Sequence, residues 1–505
     1  MKYQFIFSIL LISLGILSAQ EEIDSNSKSG LKSNKPKKKK PVIKQRLQCN
    51  MTIKYKKRPK KVDSFEELFT KGIFYGRLRS NNFLYDTVMD NKDHYVIGIG
   101  GSLIYKSAKY KNFSFTTGLY ASQTLNNISI DKLADYKAGK DIFSRYVMAT
   151  KGRKNIFSFA QNYLSYKKNR TEIKIGRFLI ETLLLKSNDS KMIPNTFEGI
   201  NLQIRTIPKT QIQLAYIRKQ KLRNHESFHR VLAYNDNNLE AYSNWSQNDD
   251  GAMHRGISVS KLDEKGIDDH IFLFEIKNQS LKNTTVKANY TIVPQLLSSL
   301  VLESTYRFKI KNKLTIKPSI HYMKQFDNGA GKIAGANLRT DSIGYDNPNS
   351  LSNTLLASRI DFIYGPASLR FGYSKVYEGG DIISPWRAQP TSGYSRAMSQ
   401  MNWYANTETT MIRADFDFQR ANLINGLHIM SRYARENFDD TKPGVTADLN
   451  IFTFDIIKRF KEYPNFMIKL RTGFIHEDHK VANLDGSLKK NPSYNDIRVE
   501  MNYLF

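Results

Sequence analysis

Cysteine is almost missing from this 505-residue chain, with Cys49 standing alone. A fold stapled by disulfides is therefore excluded. Long apolar runs are missing too. Beyond Leu17 no stretch reaches eighteen consecutive apolar residues, and the mean hydropathy is -0.50. A bundle of membrane-spanning helices is excluded by that pattern. Acids are few relative to bases, 47 against 77, for a formal net charge of +30. No internal repeat of fixed period stands out, which argues against a propeller or solenoid. Neither a GxSxG elbow nor a phosphate-cradling glycine loop occurs. The Gly98–Gly101 cluster lies in a strand-like segment, where small residues relieve curvature.

What is present begins with Met1 to Gln4, carrying one positive charge, and an unbroken apolar run from Phe5 to Leu17 that closes on Ser18-Ala19. This predicts a cleaved signal peptide over residues 1–19. The run is shorter than the roughly 20 apolar residues of a spanning helix, and polar sequence follows at once, so an anchor helix is the weaker reading. Export places the mature chain outside the cytoplasm. Cys49 lies too far beyond the cleavage point for lipidation and reads as an incidental or intermolecular thiol.

Residues 21–62 hold fifteen lysines and arginines against three acids, including Lys37 to Lys40 and the run Lys56 to Lys61 around Pro59. Such a segment repels itself and buries no core, which predicts a basic, disordered periplasmic tail over residues 20–62. A solvated linker is its simplest role. If it binds anything, anionic lipid or cell-wall polymer suits it, whereas export argues against nucleic acid. With Lys2 also set aside, residues 63–505 still carry +17.

From Phe65 onward the texture changes to aromatic-rich segments of roughly 8–12 residues with period-two alternation, separated by Asn, Asp, Gly and Lys clusters. In the segment Leu302 to Ile310, Leu302, Tyr306, Phe308 and Ile310 share one face while Glu303, Thr305, Arg307 and Lys309 share the other. Only a strand sorts them so. The same sorting recurs from Ile412 to Gln419 and from Phe466 to Phe474. Backbone amides in hydrocarbon must be satisfied internally, and strands achieve that only in a closed sheet. Tyrosines and phenylalanines near segment ends fit interfacial girdles better than the solvent face of a soluble sandwich. The expected fold is all-β, a transmembrane antiparallel barrel of about 18 strands over residues 63–505, at roughly 25 residues per strand and loop.

The final segment, Ile497 to Phe505, alternates Ile, Val, Met, Tyr and a terminal Phe with Arg498, Glu500 and Asn502. Tyr503 and Phe505 resemble the signal that the outer-membrane barrel assembly machinery reads. Further blocks carry a family resemblance: Gly72 to Arg79, Gly98 to Tyr105, Lys174 to Arg177, Met192 to Gly199 and Gly426 to Tyr433. Together they resemble the OprD-like substrate-selective porins, over about residues 65–505. The resemblance implies an 18-stranded barrel in the outer membrane, surrounded by lipid and lipopolysaccharide, with a narrow eyelet and basic residues on the lumen wall. It further implies passage of amino acids and small carboxylates, without a cofactor, and no catalysis. It also assigns residues 180–198 to the constriction loop, where Lys186, Asn188, Asp189 and Lys191 supply polar groups.

Strand parity supplies the lumen-facing set. The basic members are Arg77, Arg79, Arg205, Arg307, Lys309, Lys317, Arg359, Arg370, Arg413, Arg432, Lys469, Arg471 and Arg498. The acidic members are Glu303, Asp361, Asp415, Asp417 and Glu500. A narrow aqueous pore with low-dielectric walls focuses the field of such charges, and arginine's planar fork suits a passing carboxylate. Alternatively the same residues knit the wall as cross-strand ion pairs. His225-Glu226-Ser227-Phe228-His229 fits the HExxH pattern, but no amphipathic helix fixes its spacing, so a zinc site is not expected. The cluster His476 to His479 reads as a hydrated hairpin loop. A plugged structural or adhesive barrel, or a barrel enzyme, remains the alternative to a diffusion porin. The oligomeric state, monomer or trimer, is left open.

Overall fold

A computed structural model describes residues 45–505 apart from 56–58, 89–91, 137–140, 234–252, 311–312, 340, 399–400, 478–481, 483–485 and 487. The predicted signal peptide and residues 20–44 of the predicted tail lie outside the described residues. Two short strands, β1 (Gln45–Leu47) and β2 (Ile53–Tyr55), form a hairpin of their own. A short strand β3 (Lys61–Val62) follows, and then a helix α1 (Phe65–Thr70) capped by Ser64.

The barrel then runs through β4 (Ile73–Thr87), β5 (His94–Lys106), β6 (Lys109–Tyr110), β7 (Phe113–Thr124), β8 (Asn155–Lys168) and β9 (Thr171–Phe178). It continues with β10 (Thr196–Ile204), β11 (Thr210–Lys221), β12 (Ile271–Asn278), β13 (Thr284–Val293), β14 (Leu297–Tyr306) and β15 (Phe308–Lys309). Next come β16 (Leu314–Asp327), β17 (Asn353–Tyr364), β18 (Ala367–Val376) and β19 (Thr407–Asp417). The last four are β20 (Leu427–Asn437), β21 (Leu449–Arg459), β22 (Phe466–Glu477) and β23 (Tyr494–Leu504). Leaving out the short β3, β6 and β15, eighteen antiparallel strands close on themselves.

Closure is made by β23 against β4, from Tyr494 opposite Thr87 to Leu504 opposite Arg77. Phe505 and Gly76 then exchange two backbone hydrogen bonds, at 3.1 and 3.2 Å. A full ring leaves no edge strand to present a row of unpaired amides. Short turns lie at the rim where the chain enters and leaves the barrel, and long connections lie at the other.

The alternation is as the period-two pattern requires. Leu78, Leu103, Ile175, Phe272, Leu302, Phe371, Ile412 and Phe452 are exposed on the outer surface. Tyr306 and Phe308 lie outside as well. Their neighbours one position away point inward and are mixed: Arg77, Arg79, Glu303, Arg370 and Arg413 are charged, while Ile104, Ile271, Leu273, Val301, Met411 and Ile451 are apolar and buried. Long connections turned into the barrel pack against these apolar strand side chains and complete the cluster. Ile142, Phe143, Leu184, Leu185, Ile193, Val231, Leu232, Trp386 and Trp403 are all buried in one cluster. These side chains sit in connections too apolar to lie in solvent, and the lumen is where they can be removed from water.

One boundary needs correction. The predicted disordered tail extends to residue 62, yet the chain is structured from Gln45 to Tyr55 and again at Lys61–Val62. There Val62 pairs in parallel with Tyr110 at the short-turn rim. Charge density argues for disorder only where nothing compensates it. Leu47, Met51, Ile53 and Tyr55 alternate through this segment, and the barrel wall gives them a surface.

Candidate functional site: the lumen constriction

The connection of residues 179–195 folds into the barrel. It is anchored through Asp189, whose carboxylate pairs with both Arg77 and Arg79, the latter at 2.9 Å. Both guanidinium groups point inward from β4 and are fully buried. Arg79 also pairs with Glu500 of β23 at 2.9 Å. Asn81 donates to the Lys191 carbonyl at 2.7 Å, and the Lys191 ammonium lies 4.0 Å above the Phe83 ring and 3.6 Å from Asp141. Gly176 and Gly199 are cross-strand partners at the base of this loop. Gly176 has φ +117, and a Cβ there would collide with the Asn162 carbonyl, so the site requires glycine.

This geometry corrects two expectations. Arg77 and Arg79 have the inward parity expected of them, but the loop covers them, so they serve as its anchors and not as open wall charges. Asp189 and Lys191 are likewise buried, so of the four expected loop residues only Lys186 and Asn188, both half-buried, stay partly open. Burial pushes the Lys186 ammonium pKa down, with Glu181 acting against that shift.

A second inward connection, residues 377–406, escaped the sequence reading. Its backbone pairs with the first loop, with Lys186 N–H donating to the Trp386 carbonyl at 2.9 Å. The Trp386 indole donates to the Val231 carbonyl at 2.9 Å. Deeper in, the Tyr394 hydroxyl donates to Glu303 at 3.1 Å. The Gly393 carbonyl accepts from Arg359 at 2.7 Å and from Arg370 at 2.8 Å. The signal that could have revealed this loop is the apolar cluster Ile382-Ile383-Ser384-Pro385-Trp386, out of place in a solvated connection.

Below the two loops lies a charged wall. Lys317, Asp361, Arg370, Arg413 and Arg432 occupy successive cross-strand positions on β16 to β20. Arg370, Arg413 and Arg432 thus stand directly beside one another. Arg370 leans to Asp361 at 2.5 Å, and Arg413 bonds Asp415 on its own strand at 2.6 Å. Arg432 donates to the Arg396 carbonyl at 3.2 Å and, among the described residues, pairs with no carboxylate. Arg359 is 3.7 Å from Asp361. Further round, Lys469 and Arg471 share Asp455, at 3.3 and 2.5 Å, and Arg498 pairs with Asp496. Glu303 pairs with Lys287 at 2.6 Å. Lys287, Asp455, Asp496 and Arg396 were missed from sequence, although the first three have the same inward parity as their neighbours.

Four expected wall residues sit instead at the short-turn rim. Arg205 follows the end of β10, Arg307 and Lys309 lie at the break after β14, and all three are exposed. Asp417 closes β19 and accepts the Arg420 backbone N–H at 3.1 Å, a turn role. The HExxH segment is not helical. Its Glu226 carboxylate is taken by Arg153 at 2.5 Å. Among the described residues no group of three or more His, Cys, Asp or Glu is placed to hold a metal ion. Asp478 and His479 lie outside the described residues.

Comparison with known proteins agrees with this architecture. The family model described as outer membrane porin, OprD family, matches residues 137–449. Pseudomonas aeruginosa OpdK, solved with vanillate, is 14% identical with a TM-score of 0.65, covering 87% of this chain and 99% of its own. OccK2 (OpdF) of the same organism, solved in complex with glucuronate, is 13% identical with a TM-score of 0.62, covering 87% and 99%. Acinetobacter baumannii OccAB3 is 15% identical with a TM-score of 0.63, covering 86% and 100%. No curated protein sequence matches the chain. Eighteen closed strands, an inward-folded loop docked on an arginine pair and a family match over more than half the sequence converge: the chain belongs to the OprD family of outer membrane porins.

Proposed function

We propose that this chain is a passive channel for small hydrophilic solutes, favouring anions and zwitterions such as small carboxylates and amino acids. The observation that carries the reading is the row Arg370, Arg413 and Arg432 on adjacent strands. Like charges directly opposite one another destabilise a sheet, so a wall built for strength alone would alternate signs. Inside a pore, however, low-dielectric walls focus the field of such a row on passing ions. Guanidinium groups with spare donors can take a carboxylate in a bidentate grip and hand it on. Vanillate and glucuronate, the ligands named with OpdK and OccK2, are both carboxylates, in keeping with this reading.

The exposed apolar belt fits lipid and lipopolysaccharide. Tyr503 and Phe505 fit delivery by the barrel assembly machinery after export through the signal peptide. Proteoliposome flux tests the proposal. Glutamate is expected to enter faster than a neutral sugar of similar size, and lysine more slowly than either. Fastest entry by lysine would overturn the selectivity, and absence of flux for all three would overturn the channel.

A further inference from the structure

We propose that the hairpin β1–β2 is a resident part of the pore, narrowing it from the short-turn rim and screening solutes with Arg46 and Lys54. The inference rests on the channel reading above. The hairpin's partners all point into the lumen. Arg77 donates to the Met51 carbonyl at 2.8 Å, and the Asp189 N–H of the constriction loop donates to the Asn50 carbonyl at 2.8 Å. The Asn50 side chain reaches Glu181 of the same loop. Tyr55 stacks on Tyr75, with ring centroids 5.0 Å apart and planes at 23°. The hairpin therefore sits beneath the constriction loop, against its anchors.

Its two faces differ in kind. Gln45 pairs with Tyr55 and Leu47 with Ile53; Gln45 is buried and the other three are half-buried. On the opposite face Arg46 stands directly across from Lys54, and both are exposed. An isolated two-stranded hairpin is marginal in water, and like charges placed across it weaken it further. A tether would have no use for that pair. A pore that passes anions would, because a carboxylate lying between the two cations relieves their repulsion. The turn is preformed: Gln48 donates to the Thr52 hydroxyl at 2.7 Å, which in turn donates to the Asn50 side-chain oxygen at 2.8 Å.

Barrel closure runs through β23 and β4, so the hairpin can be removed without opening the ring. Single-channel recordings in planar bilayers would compare the full chain, a variant lacking residues 20–58, and the double variant Arg46→Glu with Lys54→Glu. Heat-modifiable gel mobility confirms that each barrel is folded. The deletion is expected to raise conductance, or to open a silent full-length protein. The double variant is expected to move the reversal potential toward cations. Equal conductance and equal reversal potential in all three proteins would overturn the inference while leaving the channel intact. If none of the three conducts, the channel reading itself fails, and this inference with it.

Discussion

Replacing Asp189 with Asn keeps the shape of the loop anchor and removes its charge. In the native protein the carboxylate lies between Arg77 and Arg79, with both guanidinium groups fully buried and the Asp189 side chain 2% exposed. Breaking a buried pair by removing one partner costs about 3–5 kcal/mol, because a charge is left uncompensated. The lower end applies here. Arg79 keeps Glu500 at 2.9 Å and the Asp189 carbonyl at 3.3 Å, so Arg77 bears most of the loss. At about 1.4 kcal/mol per factor of ten, a cost of about 3 kcal/mol raises the undocked fraction of the loop by roughly two powers of ten. Single-channel current should then show larger mean conductance and frequent transitions between levels, and protease should cut within residues 179–195 sooner. Recordings and cleavage rates indistinguishable from the native protein would refute the assignment of Asp189 as the anchor.

Arg413→Glu places a carboxylate in the middle of the arginine row; the reversal potential should move toward cations while the folded yield stays unchanged. Removing Phe505 takes away the paired backbone hydrogen bonds to Gly76 and the terminal aromatic. Folded barrel in the outer membrane, measured by heat-modifiable mobility, should fall, whereas protein refolded in detergent should conduct normally. In the connection of residues 438–448, burial raises the Asp439 carboxyl, but hydrogen bonds from Lys442, Thr441 and Asn406 outweigh it and hold the pKa at about 2. That lies below the ordinary value of roughly 3.9, so its stabilising contribution is present above about pH 4 and is lost as pH falls toward 2. Proteolysis of this connection with an acid-stable protease should speed up across that window in the native protein, and should depend on pH far less in Asp439→Asn.

Strand faces were legible because a two-residue period sorts side chains without reference to any partner. Arg413 and Asp415 against Ile412 and Ala414 is a pattern complete in itself. Lateral neighbours were not legible. That Arg370, Arg413 and Arg432 form one row depends on turn lengths and on where each strand begins, which no single segment contains. Burial of Arg77 and Arg79 was hidden for a related reason, since the group that covers them, Asp189, is more than a hundred residues away in the chain. The loop of residues 179–195 was found through family resemblance, while the loop of residues 377–406 offered no charge pattern to notice. In the basic tail, lysine density concealed the alternation of Leu47, Ile53 and Tyr55, whose docking partner is the barrel itself.

The most direct measurement for the charged wall is the zero-current potential of the full-length protein across a tenfold potassium chloride gradient. A lumen governed by the Arg370, Arg413 and Arg432 row gives a potential of the sign set by chloride. A potential of the sign set by potassium would show that carboxylates such as Asp361, Asp415 and Asp455 control the path, and would contradict the account.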